Sequence, residues 1–393
     1  MKQTGAASTT WTLIRGIRQL LTLRGHSGPR RGTAAGLLDV IPDAAILLRN
    51  GLIERMGRAR GVENSREARH ARELDVRGAV VLPAFVEPDA ILAPPGLHMP
   101  RRQRETETAR TAADHARYGY LAAGAHTAGA EDFREIVKIL RAVQNAQLRP
   151  LRLRAILALP FPEPHGRNRF LLEAAKERWL PSVQKRRMAA IAELILHDGA
   201  SPAGAADTQL LVEAAGGLGF ALRFRAGAQL SRELAGLAAR AGAIAVIAPL
   251  DGHGASAVLA GSAVHVIPCT SLLDSEPTGF AKTAAARGVA LALSAGYETM
   301  EPSPGPQLML HLAGHRLGMT TEEAITAMTW NAACSLRMSG AAGCIDTDRA
   351  ADLIAVDVPH FTEMARRAGR NDVSLVLRGG KIVYSRGAVG EVS

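Results

Sequence analysis

The residues in this chain that could carry out chemistry are few and scattered. Asp89, His126, His197 with Asp198, Asp251 with His253, and Glu298 each stand at or near the end of an apolar stretch. Two imidazoles and two carboxylates suffice in principle to hold a zinc ion. The spacing argues against it. No pair has the His-x-His separation that sets two ligands on one face of a strand, and His197 and Asp198, being adjacent, point to opposite faces. The same residues serve equally as solvated loop and capping groups. The other chemistry open to them is metal-free acid/base catalysis, with Asp89 working with His126 or Glu298 where opposite strand ends converge. Ser294 follows an apolar strand and precedes Gly296, but no G-x-S-x-G elbow surrounds it. Gly252-His253-Gly254 lacks the spacing of a phosphate loop. Cys269, Cys334 and Cys344 form no C-x-x-C pair and read as small buried hydrophobes.

Charge narrows the partners. The 393 residues carry a formal net charge of +10. The basic residues are scattered, with short clusters at Arg30-Arg31, Arg101-Arg102-Arg104, Lys185-Arg186-Arg187 and Arg366-Arg367. None is interleaved with aromatics that could stack bases, so nucleic acid is excluded and an acidic small molecule or partner fits the balance better. No apolar run reaches the roughly 18 residues of a membrane helix. The candidate leader Trp11 to Leu23 is interrupted by Arg15 and Arg18, and no clean cleavage site follows, so a cytoplasmic chain is expected.

The elements that must position these residues alternate between strand and helix. The central stretch is Val80 to Leu92, an apolar run that breaks at Pro83, resumes as Ala84-Phe85-Val86 and ends in an acidic turn. Val80 to Val86 reads as a first strand. Seven more follow near Gly119 to Thr127, Leu151 to Leu159, Ala192 to His197, Gly219 to Phe224, Ile244 to Ala248, Ala263 to Ile267 and Val289 to Ala295. Helical segments between them make parallel βα units, and eight strands are the count of a closed (β/α)8 barrel, whose site lies at the C-terminal strand ends. Thr320 with Glu323 forms a capping box ahead of a helix that presents Ile325, Met328, Ala332 and Leu336 on one apolar face. At either end of the chain stands a hairpin signal: Asn50-Gly51 between two short apolar runs, and Gly379-Gly380 between Ser374 to Arg378 and Lys381 to Tyr384. Together they predict one small sheet domain completed from both termini.

From Arg287 to Arg386 the order of features resembles the imidazolonepropionase-like branch of the amidohydrolase superfamily. Pro302-Ser303-Pro304-Gly305, Gln307 to Ala313, Leu317-Gly318-Met319-Thr320, Thr329 to Ala333 and Ala350 to Ile354 carry the likeness. Arg178 to Val183 and Ala228-Gln229-Leu230-Ser231 extend it over nearly the whole chain. The resemblance implies an α/β fold, a (β/α)8 TIM-like barrel at 83–345 with a small discontinuous β-sandwich from 1–82 and 346–393. It also implies hydrolysis of a cyclic C–N bond at a zinc or iron ion. At the positions where the family carries its metal ligands and final aspartate, this sequence has Asp89, Ile91, Ala226, Ala248 and Gly296. A metal that must bring a bound water's pKa down to about 7 needs imidazole and carboxylate ligands, and these side chains mostly cannot supply them.

The expectation is therefore no metal cofactor, and a pseudoenzyme that binds a small anionic ligand or a partner, with a homodimer left open. The alternative is a hydrolase acting on a cyclic amide through a metal-free or rearranged site using Asp89, His126 or Glu298. Gln229, Arg101 and His197 are the candidate ligand contacts. Gln229 also reads as helix-start packing, and Arg101 as a solvated helix start near the first βα loop, where His98 also falls.

Overall fold

The computed structural model describes residues 9–93, 99–128, 130, 132–146, 150–159, 169–196, 202–226, 232–249, 264–273, 277–295, 305–387 and 391–392. Two sheets organise them.

The first sheet takes strands from both ends of the chain. β1 (Trp11–Leu21), β2 (Val40–Arg49), β3 (Leu52–Arg58), β4 (Arg72–Asp75) and β5 (Val80–Pro83) come from the N-terminal part. The barrel strands follow: β6 (Phe85–Ala90), β7 (Tyr120–His126), β8 (Arg152–Leu159), β9 (Ile191–Leu196), β10 (Ala221–Ala226), β11 (Ala245–Ile247), β12 (Val264–Pro268) and β13 (Leu291–Ser294). β14 (Leu353–Val356), β15 (Val373–Arg378), β16 (Lys381–Ser385) and β17 (Glu391–Val392) then return to the first sheet.

That sheet is mixed and nine-stranded, in the order β16-β15-β14-β5-β1-β2-β3, with β4 paired to β1 and β17 to β4. The chain ends meet where β14 pairs antiparallel with β5. Hydrogen bonding joins all nine strands into one sheet, where two facing sheets were expected. The cause is β1. Its first half pairs with β4 and its second half with β5, and the ladder to β2 shifts between Ile14 and Ile17, beside a left-handed Gly16. The stretch considered and rejected as a leader, Trp11 to Leu23, holds this strand. Its arginines face outward: Arg15 pairs with Glu73, and Arg18 donates to the Gly78 carbonyl. Both glycine turns form as expected, with Asn50 and Gly51, and Gly379 and Gly380, all at positive φ.

The second sheet is parallel, eight strands in the order β6 to β13. Its strands read as apolar runs because helices cover the outside and side chains fill the inside; all seven residues of β7 are buried. The segment expected to be one first barrel strand, Val80 to Val86, is divided. Val80–Pro83 belongs to the mixed sheet and the barrel begins at Phe85, because Pro83 ends one ladder and Ala84 crosses over, donating its N–H to the Asp352 carbonyl. The acidic stretch expected to be a turn, Glu87 to Asp89, is consequently inside the barrel strand.

An apolar interior layer formed by Val86, Ala122, Ile156, Ile191, Val266 and Ala292 is joined by Ala332, from the helix Trp330–Ser335, and by Leu336 and Met338 just after it. Gly124 is required there, since a Cβ would lie 2.5 Å from the Leu336 side chain and 2.6 Å from the Pro88 carbonyl oxygen. The capping box at Thr320 and Glu323 is present, but the helix it opens ends at Met328. The chain leaves helical geometry at Thr329 and restarts as Trp330–Ser335. This lets Asn331 turn inward to bond Arg30 and the Leu291 carbonyl.

Candidate functional site at the barrel mouth

Two arginines on one strand build the centre of the site. Arg223 and Arg225 lie two apart on β10, so they project from the same face of the strand. Arg223 is fully buried. It donates through Nε to Glu193 on β9, through Nη2 to Asp89 on β6 (2.6 Å), and through Nη1 to the Pro88 carbonyl (2.6 Å). Arg225 stands above it and repeats the pattern, with Nη2 on Asp89 and Nε on Glu193 (3.0 Å). Two carboxylates and two guanidiniums thus form a closed square in the barrel. Its charges balance.

Burial alone would raise the pKa of both carboxyls, but the guanidiniums outweigh it. Arg225 and Arg223 hold Asp89 well below the usual carboxylate range and lower Glu193 as well. The carboxylates in turn raise Arg225, against its own desolvation. Both carboxyls are therefore ionised at neutral pH. Their hydrogen bonds are what make so much buried charge tolerable.

His126, at the end of β7, approaches this square with Nε2 3.4 Å from Asp89 Oδ1. Its Nδ1 accepts from the Ala128 backbone N–H at 3.2 Å, which leaves the proton on Nε2. Burial pushes its pKa down to about 4, with Asp89 opposing the shift, so the ring is neutral at pH 7. Glu87 sits on the other side of β6. It accepts from the Ser294 hydroxyl (2.6 Å) and from the backbone N–H groups of Ala295 (2.8 Å) and Asp89 (2.9 Å). Burial pushes Glu87 up to about 7, in spite of those three donors. β6 and β13 lie against each other at the barrel's closing seam, and no backbone ladder joins them among the described residues. Glu87 bridges that seam through its side chain.

The sequence-predicted residues divide cleanly. Asp89 and His126 are brought together. Arg101 is drawn into an exposed pair with Glu105 at 2.9 Å along its own helix, Arg101–Arg117. Gln229, His197, Glu298 and Gly296, with His98, Asp198, Asp251 and His253, lie outside the described residues. Ala226 closes β10, Ile91 follows β6, and Ala248 follows β11 with its carbonyl bonded to the buried His265 ring at 3.1 Å. Neither alanine nor isoleucine offers a donor atom to a metal.

Sequence reasoning missed Glu87, Glu193, Arg223 and Arg225. The signal was present: a charge inside an apolar parallel strand must find its counter-charge inside the same barrel. Leu222-Arg223-Phe224-Arg225 and Ala192-Glu193-Leu194 each break an otherwise buried run.

Comparison with known proteins agrees with this frame. The Amidohydrolase family matches residues 305–383. The imidazolonepropionase of Solibacter usitatus is 28% identical across 94% of this chain and 98% of its own length. That of Deinococcus radiodurans is 27% identical across 94% and 98%. Among solved structures, the ochratoxinase of A. niger superposes with a TM-score of 0.68 at 15% identity, covering 96% of each chain. The 5-methylcytosine deaminase of Klebsiella pneumoniae gives 0.66 at 17%, covering 96% and 98%. The parallel barrel and mixed second sheet are similar to those of the amidohydrolase superfamily, and the matched C-terminal segment carries the same likeness. The chain is imidazolonepropionase-like over nearly its whole length.

Proposed function

We propose that this protein is an imidazolonepropionase-like pseudoenzyme that works without a metal and binds a small anionic ligand or partner at the barrel mouth. The observation that carries the reading is the pair Arg223 and Arg225. Their two positive charges engage the buried carboxylates Asp89 and Glu193 and would repel a divalent ion brought to the same oxygens. Asp89 stands where the family has its first ligand, and the remaining matched positions, Ile91, Ala226, Ala248 and Gly296, carry no ligating side chain. The residues present do not fit the family's metal.

Arg225 is the guanidinium that keeps some solvent access, at 16% exposure, and its Nη1 makes no hydrogen bond among the described residues. It is the donor a carboxylate or carbonyl ligand would meet first. The hydrolytic alternative, opening a cyclic amide without a metal, needs a base. Asp89 is a poor one while two guanidiniums hold it, and the Nδ1 lone pair of His126 is already used.

The test combines turnover and binding. Tag-free protein is assayed on imidazolonepropionate and simple cyclic amides with added zinc and with chelator, and its melting temperature is followed against small mono- and dicarboxylates. No turnover, with a carboxylate-dependent rise in melting temperature that is lost in Arg225→Gln, is expected. Zinc-dependent turnover would contradict the reading, and turnover that survives chelation but disappears in Asp89→Asn would establish the hydrolytic alternative.

A further inference from the structure

On the outside of the barrel, the helix Pro306–Leu317 carries two histidines one turn apart, His311 and His315. Residues four apart on a helix are neighbours on its surface. The two rings are 4.2 Å apart between centroids and inclined at 49°. The same spacing supplies both imidazole ligands in helical H-x-x-x-H zinc sites, where nitrogens held about 2 Å from a shared ion lie about 3 Å from each other.

His311 is half-buried and fixed. Its Nδ1 lies 3.2 Å from the backbone carbonyl of Ala365, in the short helix Phe361–Arg366. A carbonyl only accepts, so Nδ1 carries the proton and Nε2 keeps its lone pair. A backbone carbonyl on the second ring nitrogen is how ligating histidines are oriented and made more basic. His315 is exposed, in the last turn of the helix, where the macrodipole favours a cation. Neither ring takes part in the barrel network.

From this we infer that His311 and His315 form a surface site for a borderline divalent transition metal: copper, nickel or zinc. Imidazole nitrogen selects these ions over magnesium or calcium, and affinity rises from nickel to copper in the usual order. Two protein ligands leave open positions for water or for a donor from a partner. Leu312 stands where an H-E-x-x-H enzyme has its glutamate and brings no general base, so the site holds metal and does no hydrolysis of that kind. The inference is independent of the reading of the barrel interior.

The experiment uses the full chain without a tag, titrated calorimetrically with nickel alone, and copper-loaded below one equivalent for electron paramagnetic resonance. Loss of an outer-sphere partner already costs a metal site about 10- to 100-fold, so His315→Ala and His311→Ala are each expected to weaken nickel binding at least that much. The copper spectrum is expected to show two coupled nitrogens in the wild type and one in His315→Ala, with no response to magnesium. His315 is exposed, so its alanine variant should melt like the parent. A wild type that binds no nickel, or nickel affinity and nitrogen coupling unchanged in both variants, would overturn the site.

Discussion

Arg223 is the residue whose removal should be felt most. It has no solvent exposure and donates to Glu193, Asp89 and the Pro88 carbonyl. Arg223→Met leaves two buried carboxylates sharing one guanidinium, and breaking a buried pair from one side costs about 3–5 kcal/mol. Urea denaturation is expected to show a loss of that size, and a Glu193→Gln/Arg223→Met double variant, which restores the charge balance, should recover part of it. Glu87 makes the opposite kind of statement. Its folded pKa of about 7 lies above the ordinary 4.5, so the folded state holds its proton more tightly than the unfolded chain. That contribution is full below 4.5 and is lost as pH rises through 7. His126 and His265, both lowered to about 4, run the other way, losing stability as pH falls from 6.5. The informative quantity is therefore a difference. The melting temperature of Glu87→Gln minus that of the wild type is expected to increase from pH 5 to pH 8, and a flat difference would mean that Glu87 is ionised throughout. At this scale the sequence was half legible. Asp89 and His126 stand at strand ends, where chemistry is looked for. Glu87, Glu193, Arg223 and Arg225 lie within strands, where period-two patterning says only that they face inward and not which charges they meet.

Among elements, the helix Thr321–Met328 and strand β7 depend on local terms that can be isolated. Thr320 accepts from the Glu323 N–H at 3.2 Å, while Glu323 accepts from the Thr320 N–H at 2.9 Å. Thr320→Ala removes one half of that exchange and should lower stability by about 1 kcal/mol in chemical denaturation, with the barrel network intact. Gly124→Ala is a packing test. The added methyl would meet a backbone carbonyl that cannot swing aside, so about 1–3 kcal/mol of destabilisation is expected by the same measurement. The capping box and both glycine turns were readable because each is a local pattern with one physical solution. Three features were not. β1 looks like an interrupted leader until its two arginines are seen to face solvent on a strand paired along both edges. The break at Thr329 exists so that Asn331 can reach Arg30 and Leu291, hundreds and tens of residues away. The hand-over at Pro83 and Ala84 is decided by the Asp352 carbonyl on β14.

For the whole molecule, the eight-strand alternation and the paired terminal hairpins made the architecture readable, since βα repetition leaves few topologies open. Whether those hairpins build one sheet or two was set by long-range pairing along β1. The barrel is filled at its mouth by an internally neutral ion network. No helix among the described residues is long and apolar enough to cross a membrane. The most direct test of a barrel that works without metal is elemental mass spectrometry on tag-free protein from cells supplied with zinc, iron and manganese, using the His315→Ala variant so that a surface ion is not counted. A metal-free barrel predicts content far below one equivalent per chain, unchanged by Arg223 or Arg225 substitution. Near one equivalent per chain, retained through dialysis, would mean that the mouth holds an ion after all.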